Sequence, residues 1–425
     1  MKAVDDGSYY FFRKLSLISV IGLALISVLL LPSYVVHATQ TAAAPLSVTV
    51  TPSGGGGRSS NGGVVGGILL GIDSGGTNET PPLNQQINRY PDYTTQYTSS
   101  GPCYISGGGT GFCGGGAYLP ATSGYPLIVT FSTIYEGAFG SYINYTGNTY
   151  YNCSPDGTGG VGDVAAWNAA ASNDPSWANS VRNAINTDYV GYLSSIYAVR
   201  LNWEWAGSWF CQSPWKYEVA GHNGDQSSEQ NYVISPATWA AGTNNTIAIL
   251  RQLLPGVKIC VDAPGNTYEQ QWTDPVANNV DCFAFDAYYQ SYWGSTAEAA
   301  WQYTGGDGAV PWCRNNPGAT YNCIDLPFFA SYAAGHGKPL VIGETCDSFN
   351  DGVIITKISN WSVANNVVAF GYWDNPDTPP SCSLSLNPST GAAFKAFWGG
   401  VSYNQSYWTH KASPPSNPPG DAIGY

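Results

Sequence analysis

The sequence predicts an α/β protein built as a (β/α)8 TIM barrel with a Gly/Ser/Thr-rich N-terminal extension, and three observations carry that prediction. Short apolar runs alternate with helical patterns between about residues 125 and 375, which argues for βαβ units and a parallel sheet. The runs YAVRL and KPLVIG lead to Glu204 and Glu344, and catalytic groups of such barrels sit where strands end. The chain has 425 residues, enough for one barrel of about 250 residues with extensions on either side.

Residues 1–38 read as a targeting segment. Arg13 and Lys14 precede an apolar run from Leu15 to Leu31, followed by Pro32 and the small-residue site Val36-His37-Ala38. This pattern fits a signal peptide cleaved after Ala38. An uncleaved anchor is the alternative, because the run is at the short limit for spanning a bilayer. Both place the bulk of the chain outside the cytoplasm, secreted or extracytoplasmic, with no membrane partner once the signal is removed. Residues 39–122 are rich in Gly, Ser, Thr, Pro and Asn and read as a low-complexity linker and irregular lead-in. Within them VVGGILLGI is apolar but broken by glycines, and its role stays open.

The catalytic barrel is expected over 123–402, with PLIVTFSTIY as its first strand. Asp174-Pro175 opens a helix, Asp at the N-cap and Pro in the first turn, which feeds the strand carrying Arg200. Ser235-Pro236 opens a second helix closed by Pro255-Gly256, and KICVDA follows as a strand. DCFAFDAYY is another strand, LPFFASYAAGHG a helix, KPLVIGE a strand, Ile354 to Ala364 a helix and VVAFGYWDN the last strand. The second and third strands are not evident. Residues 403–425 form a Pro-rich tail.

Formal net charge is −13, charged residues make up 10% and aromatic residues 14%, with 15 Trp and 30 Tyr. A neutral, polar and aromatic surface suits carbohydrate, whereas the negative charge repels phosphate backbones, so nucleic acid is excluded as a partner. Ten cysteines agree with an oxidising compartment. Cys103 with Cys113 and Cys313 with Cys323 are plausible local pairs, and the connectivity of the remaining six stays open. No Cys-x-x-Cys occurs and the four His are scattered, so neither a metal nor a cofactor is implied.

Glu204 stands among Trp203, Trp205 and Trp209, and aromatic desolvation is one way to raise a carboxyl pKa into the range of a working acid. Arg200 is expensive inside a strand without an anionic partner. Of the eight Glu, Glu204 and Glu344 follow apolar strands most closely, and glycoside hydrolysis requires two carboxyls flanking the scissile bond. Glu136 suits a rim loop, and Glu218, Glu229, Glu269 and Glu298 suit solvated surface.

The series RLNWEWAGSW, LRQLLPGVKICVDAPGN, VDCFAFDAYY, GKPLVIGET and FGYWDN resembles the glycoside hydrolases of clan A, and within them family 26, the β-mannanase-like group. Arg200, Glu204, Gly207 and Trp209 match the family's Arg on strand four and its His-Glu-Met-Asn-Gly-x-Trp motif. The resemblance implies a retaining mechanism with Glu204 as acid/base and Glu344 as nucleophile. It further implies that Arg200 contacts the nucleophile, that Tyr288 or Tyr289 does so too, and that Trp373 floors the subsite beside the cleaved bond. Trp203 stands where the family has His, and Trp205-Ala206 where it has Met-Asn; these departures fall on specificity and leave both carboxylates in place.

Of the remaining tryptophans, Trp177, Trp239 and Trp361 lie in helical patterns and suit core packing, whereas Trp209, Trp215, Trp293 and Trp312 follow strands and suit sugar stacking. Asn266 and Asp286 are candidate polar contacts. The expectation is therefore a monomeric, exported retaining endo-β-glycanase acting on a polysaccharide or oligosaccharide, mannan-type or related. Its substrate-binding set is Arg200, Trp203, Trp209, Asn266, Asp286, Tyr288, Trp293 and Trp373. The alternatives are a non-catalytic carbohydrate-binding barrel and a structural cell-envelope protein.

Overall fold

The computed structural model describes residues 68–74, 91–98, 100–104, 110–114, 126–134, 142–145, 148–151, 164–189, 192–206, 212–214, 232–290, 293–315, 324–374 and 381–399. Residues 1–38, Glu136, Glu218, Glu229, Trp209, Trp215, Cys323 and the tail after 402 lie outside them, as do the side chains of Cys103, Cys113 and Cys313.

Eight strands form one sheet. In barrel order they are Leu69–Ser74, Thr94–Tyr97, Leu127–Phe131, Ile196–Leu201, Lys258–Asp262, Cys282–Tyr289, Leu340–Asp347 and Val367–Asp374. All neighbours pair in parallel. A parallel bridge between Gly71 and Tyr93 joins the first strand to the start of the second and brings the two ends of the sheet together. The architecture is a (β/α)8 barrel.

The count of strands corrects the expected boundary. PLIVTF is the third barrel strand, not the first, and the first two come from residues 69–74 and 94–97, inside the stretch read as linker and lead-in. Both resist sequence patterning for physical reasons. Gly71 interrupts the first because a Cβ there would come within 2.1 Å of the Tyr93 ring, which fills that space. The second, TTQY, is polar although Thr94, Thr95 and Gln96 are all buried.

Strands buried on both faces need two apolar sets. One set, including Leu69, Tyr93, Ile128, Ala198, Ala284 and Val341, packs with the linked Cys260–Cys282 pair on neighbouring strands. The other, including Leu70, Val129, Val199, Ile259, Phe285 and Ile342, packs against the helices. The first set occupies the early half of the strands; further along them the same strands carry Arg200, Asp262, Asp286 and Glu344, so polarity is concentrated at their C-terminal ends.

The helices form where their caps demand. Pro175–Asp188 starts at Asp174, whose Oδ1 accepts from the amides of Ser176 and Trp177 at 2.8 and 3.2 Å. Pro236–Leu253 starts at Ser235, whose Oγ accepts from Thr238 N at 3.1 Å. Such caps contribute about 1 kcal/mol each. Leu326–Gly335 and Val353–Ala364 follow the expected patterns, and Val164–Ala171 and Pro388–Trp398 are additional helices. Trp177 and Trp239 are fully buried core residues as expected, and Trp361 packs edge-on against Phe285. Among the described residues no helix is long and apolar enough to cross a membrane.

Candidate active site

Strand Ile196–Leu201 is buried along its whole length, and the turn after it, 202–206, carries Glu204. Asn202 and Glu204 both have positive φ, 54° and 47°. Asn tolerates this region through local hydrogen bonds; for Glu it is strained by about 1–2 kcal/mol. The turn is held from both ends. Asn202 N donates to Phe131 O at 2.7 Å, its Oδ1 accepts from Thr133 N at 2.8 Å, and its Nδ2 donates to Thr243 Oγ1 at 2.9 Å. Trp205 is buried against Trp239 and Trp272, at 4.9 and 6.1 Å between ring centroids. Between these anchors Glu204 remains partly exposed.

Arg200 is fully buried beneath the turn. Its Nε and Nη2 donate to Asp262 Oδ1 and Oδ2 at 2.7 and 2.6 Å, Nη2 also donates to Asp286 Oδ2 at 2.8 Å, and Nη1 lies 3.5 Å from Glu344 Oε1. Burial opposes its charge, but the three carboxylates outweigh that cost and push its pKa further up. Gly343 makes room for the guanidinium, because a Cβ there would lie 2.2 Å from Nη1. A register shift after Phe285 then pairs Asp286 with Glu344, skipping Gly343.

Glu344 is 2% exposed and is held by donors. Tyr97 OH donates to Oε1 at 2.8 Å, and Tyr288 OH donates to Oε2. Donors aimed at both oxygens favour the ionised form. Asp286 is held above the usual carboxylate range by burial, which Arg200 partly offsets and the neighbouring Asp262 reinforces. The Glu204 carboxyl approaches Asp286 closely enough to pull it back down, although no hydrogen bond of good geometry reaches Asp286 Oδ1. Three carboxylates thus contact one guanidinium, and Glu204 lies on the Asp286 side of the cluster.

Aromatic rings cover these carboxyls. Tyr97 lies 4.9 Å from Trp203 and 6.2 Å from Trp373, and Tyr288 lies 6.4 Å from Trp373. Trp203 is only 9% exposed, whereas Trp373 is partly exposed. The structure therefore gathers Arg200, Trp203, Glu204, Asp286, Tyr288, Glu344 and Trp373 in one place. Of the two tyrosines left open by the sequence, Tyr288 takes the contact; Tyr289 is buried, with its hydroxyl 3.4 Å from Thr304 Oγ1.

Three expectations need correction or narrowing. Asn266 is occupied with its own loop: Oδ1 accepts from Tyr268 N and Glu269 N at 2.9 and 3.1 Å, and Nδ2 donates to Glu269 Oε1 at 2.9 Å. Glu269 is no surface residue but 2% exposed, and burial pushes its pKa up to about 7 against the hydrogen bonds from Gly265 N and Asn266. Trp293 packs on Tyr303 at 4.9 Å, and Tyr303 stacks in turn on the exposed Trp312. Two residues were missed. Tyr97 gives no sequence signal within TTQY, whereas Asp262 does, as an acid ending the strand KICVD. Of the cysteines whose connectivity the sequence leaves open, Cys260 pairs with Cys282 and Cys346 with Cys382. Among the described residues no group of three or more His, Cys, Asp or Glu is placed to hold a metal ion.

No family model matches the chain, and no curated protein matches it by sequence. Among solved structures, the chain is similar to a GH26 β-mannanase from Bacteroides ovatus, at 14% identity and TM-score 0.45, covering 79% of this chain and 90% of that one. It is also similar to a Bacillus subtilis mannanase, at 13% identity and TM-score 0.41, covering 84% and 91%. A fungal β-1,4-galactanase structure aligns at 13% identity and TM-score 0.39, covering 78% and 99%.

Proposed function

We propose that the chain is an exported, monomeric retaining endo-β-glycanase that hydrolyses a β-linked polysaccharide of mannan type or a related glycan. The observation that carries this reading is the contrast between two carboxyls, one just past the fourth barrel strand and one on the seventh. Glu344 is buried, acceptor-only and fixed by Tyr97, Tyr288 and Arg200, as a nucleophile has to be. Glu204 is partly exposed on a strained turn beside Asp286, as a proton donor has to be. The order and spacing of RLNWEWAGSW through FGYWDN support the choice of glycan class.

In the first step Glu344 attacks the anomeric carbon while Glu204 gives its proton to the departing glycosidic oxygen, so the C–O bond breaks as the ester bond forms. In the second, Glu204 takes a proton from water, the water oxygen attacks the same carbon, and Glu344 leaves as carboxylate. Arg200 and the two phenols hold Glu344 in place through both steps. Trp373 offers a ring face beside the reacting sugar. The disulfides Cys260–Cys282 and Cys346–Cys382 agree with export, since such bonds persist in oxidising compartments.

Incubating the full chain with mannan, xylan, mixed-linkage glucan and galactan, with Glu204→Ala as the blank, tests the proposal. Reducing ends appear from at least one glycan with the wild type and not with the variant. Binding without any hydrolysis would instead make the chain a carbohydrate-binding barrel.

A further inference from the structure

Asp262 has more partners than an ion-pair partner of Arg200 requires. It ends the fifth barrel strand, and its carboxylate is 8% exposed. Oδ1 and Oδ2 accept the two-pronged contact from Arg200 at 2.7 and 2.6 Å, and Oδ2 also accepts from the main-chain N–H of Glu204 at 2.8 Å. Its main-chain carbonyl accepts from Trp205 Nε1 at 3.2 Å. One residue therefore grips the strand before the turn, the amide at the centre of the turn, and the indole just after it. The amide it grips belongs to the residue whose φ of 47° puts it in a conformation that Glu adopts only under constraint.

We propose that Asp262 is a positioning residue for the acid/base: it holds the Glu204 backbone in its left-handed conformation and so fixes the direction from which the carboxyl delivers its proton. A charge-assisted hydrogen bond to a buried amide is among the stronger interactions available for offsetting such strain. Asp262 also takes the best donors of Arg200, leaving Glu344 the 3.5 Å contact, so its loss is felt on both sides of the reaction but unequally. The inference rests on the assignment of Glu204 given above.

The test compares two substrates that differ in their need for an acid. One is the polysaccharide; the other is a 2,4-dinitrophenyl β-glycoside of the sugar it releases, whose leaving group departs without protonation. Asp262→Asn lowers kcat/KM on the polysaccharide about 10- to 100-fold, the scale of a small misplacement of a catalytic group. It lowers kcat/KM on the dinitrophenyl glycoside less than about threefold, and it shifts the alkaline limb of the polysaccharide pH profile. Equal losses on both substrates with an unmoved profile would overturn the inference, leaving Asp262 a partner of Arg200 alone. If Asp262→Asn does not fold, Asp262→Glu gives the same comparison, because it keeps the charge for Arg200 while its extra methylene moves the acceptor off the Glu204 amide. Glu204→Ala run alongside separates the two levels: if it shows no dependence on leaving group, the acid/base assignment fails and the inference with it.

Discussion

Tyr97 and Glu344 lie 247 residues apart in sequence, and the phenol of the first donates a 2.8 Å hydrogen bond to the carboxylate of the second. The contact crosses from the second barrel strand to the seventh and sets Tyr97 opposite Tyr288, which serves the other oxygen. Two phenols rather than one therefore stabilise the proposed nucleophile. Tyr97→Phe removes one donor and keeps the ring against Trp203. Hydrogen bonds to charged groups contribute about 1.5–3 kcal/mol, so kcat/KM is expected to fall about 10- to 100-fold. The acidic limb of the pH–rate profile moves to higher pH, since fewer donors favour the carboxylate. Steady-state kinetics across pH 4–8 (about the range where carboxyls in such sites titrate) reads both effects, and an unchanged limb would remove Tyr97 from the machinery.

Trp373 is the partly exposed ring beside both phenols. Trp373→Ala is expected to raise KM about tenfold and to lower kcat as well, because an aromatic platform contributes about 0.5–1.5 kcal/mol beyond the area it buries. Titration with a non-cleavable oligosaccharide against Glu204→Ala, with and without the Trp373 change, checks the binding part separately.

Glu269 gives a pH-dependent stability. Its carboxyl is pushed from 4.5 up to about 7 in the folded chain, first of all by burial. Between those values the folded state binds more protons than the unfolded, so stability falls as pH rises through the window, by about 3 kcal/mol across it. Glu269→Gln cannot ionise and is expected to lose that segment of the pH dependence. Thermal unfolding of both proteins at pH 4.5, 6 and 7.5 (values chosen to bracket the window) shows the difference; parallel curves would contradict it.

The Cys346–Cys382 bond spans 36 residues and fixes the chain two positions beyond Glu344. Replacing both cysteines with Ser is expected to cost about 3–4 kcal/mol of stability on the chain-entropy view. Denaturant unfolding reads that loss, and residual activity at low temperature shows whether Glu344 also loosens.

How much of this was legible depends on what each residue packs against. Glu204, Glu344, Asp286 and Tyr288 ride at or just beyond the ends of apolar runs, and that placement is written in the sequence. The helix starts at Asp174 and Ser235 are equally local, since the cap and the amides it serves lie within three residues. The first two barrel strands are not local. Gly71 makes sense only once the Tyr93 ring is beside it, and TTQY alternates nothing because all of its first three residues are enclosed by the rest of the barrel. Tyr97 was hidden for that reason. Asp262 was legible by the rule that singled out Glu204 and Glu344, had it been applied to Asp as well as to Glu. Asn266 and Glu269 read as polar loop, yet they satisfy each other inside it, and composition alone carries no sign of such closure.

The most direct measurement of the central claim is azide rescue of Glu204→Ala on a dinitrophenyl β-glycoside. If Glu344 forms a covalent intermediate and Glu204 serves only as acid/base, azide restores turnover and NMR of the product shows a β-glycosyl azide, the configuration retained. An α-glycosyl azide, or rescue of Glu344→Ala in place of Glu204→Ala, would contradict the assignment of the two carboxyls.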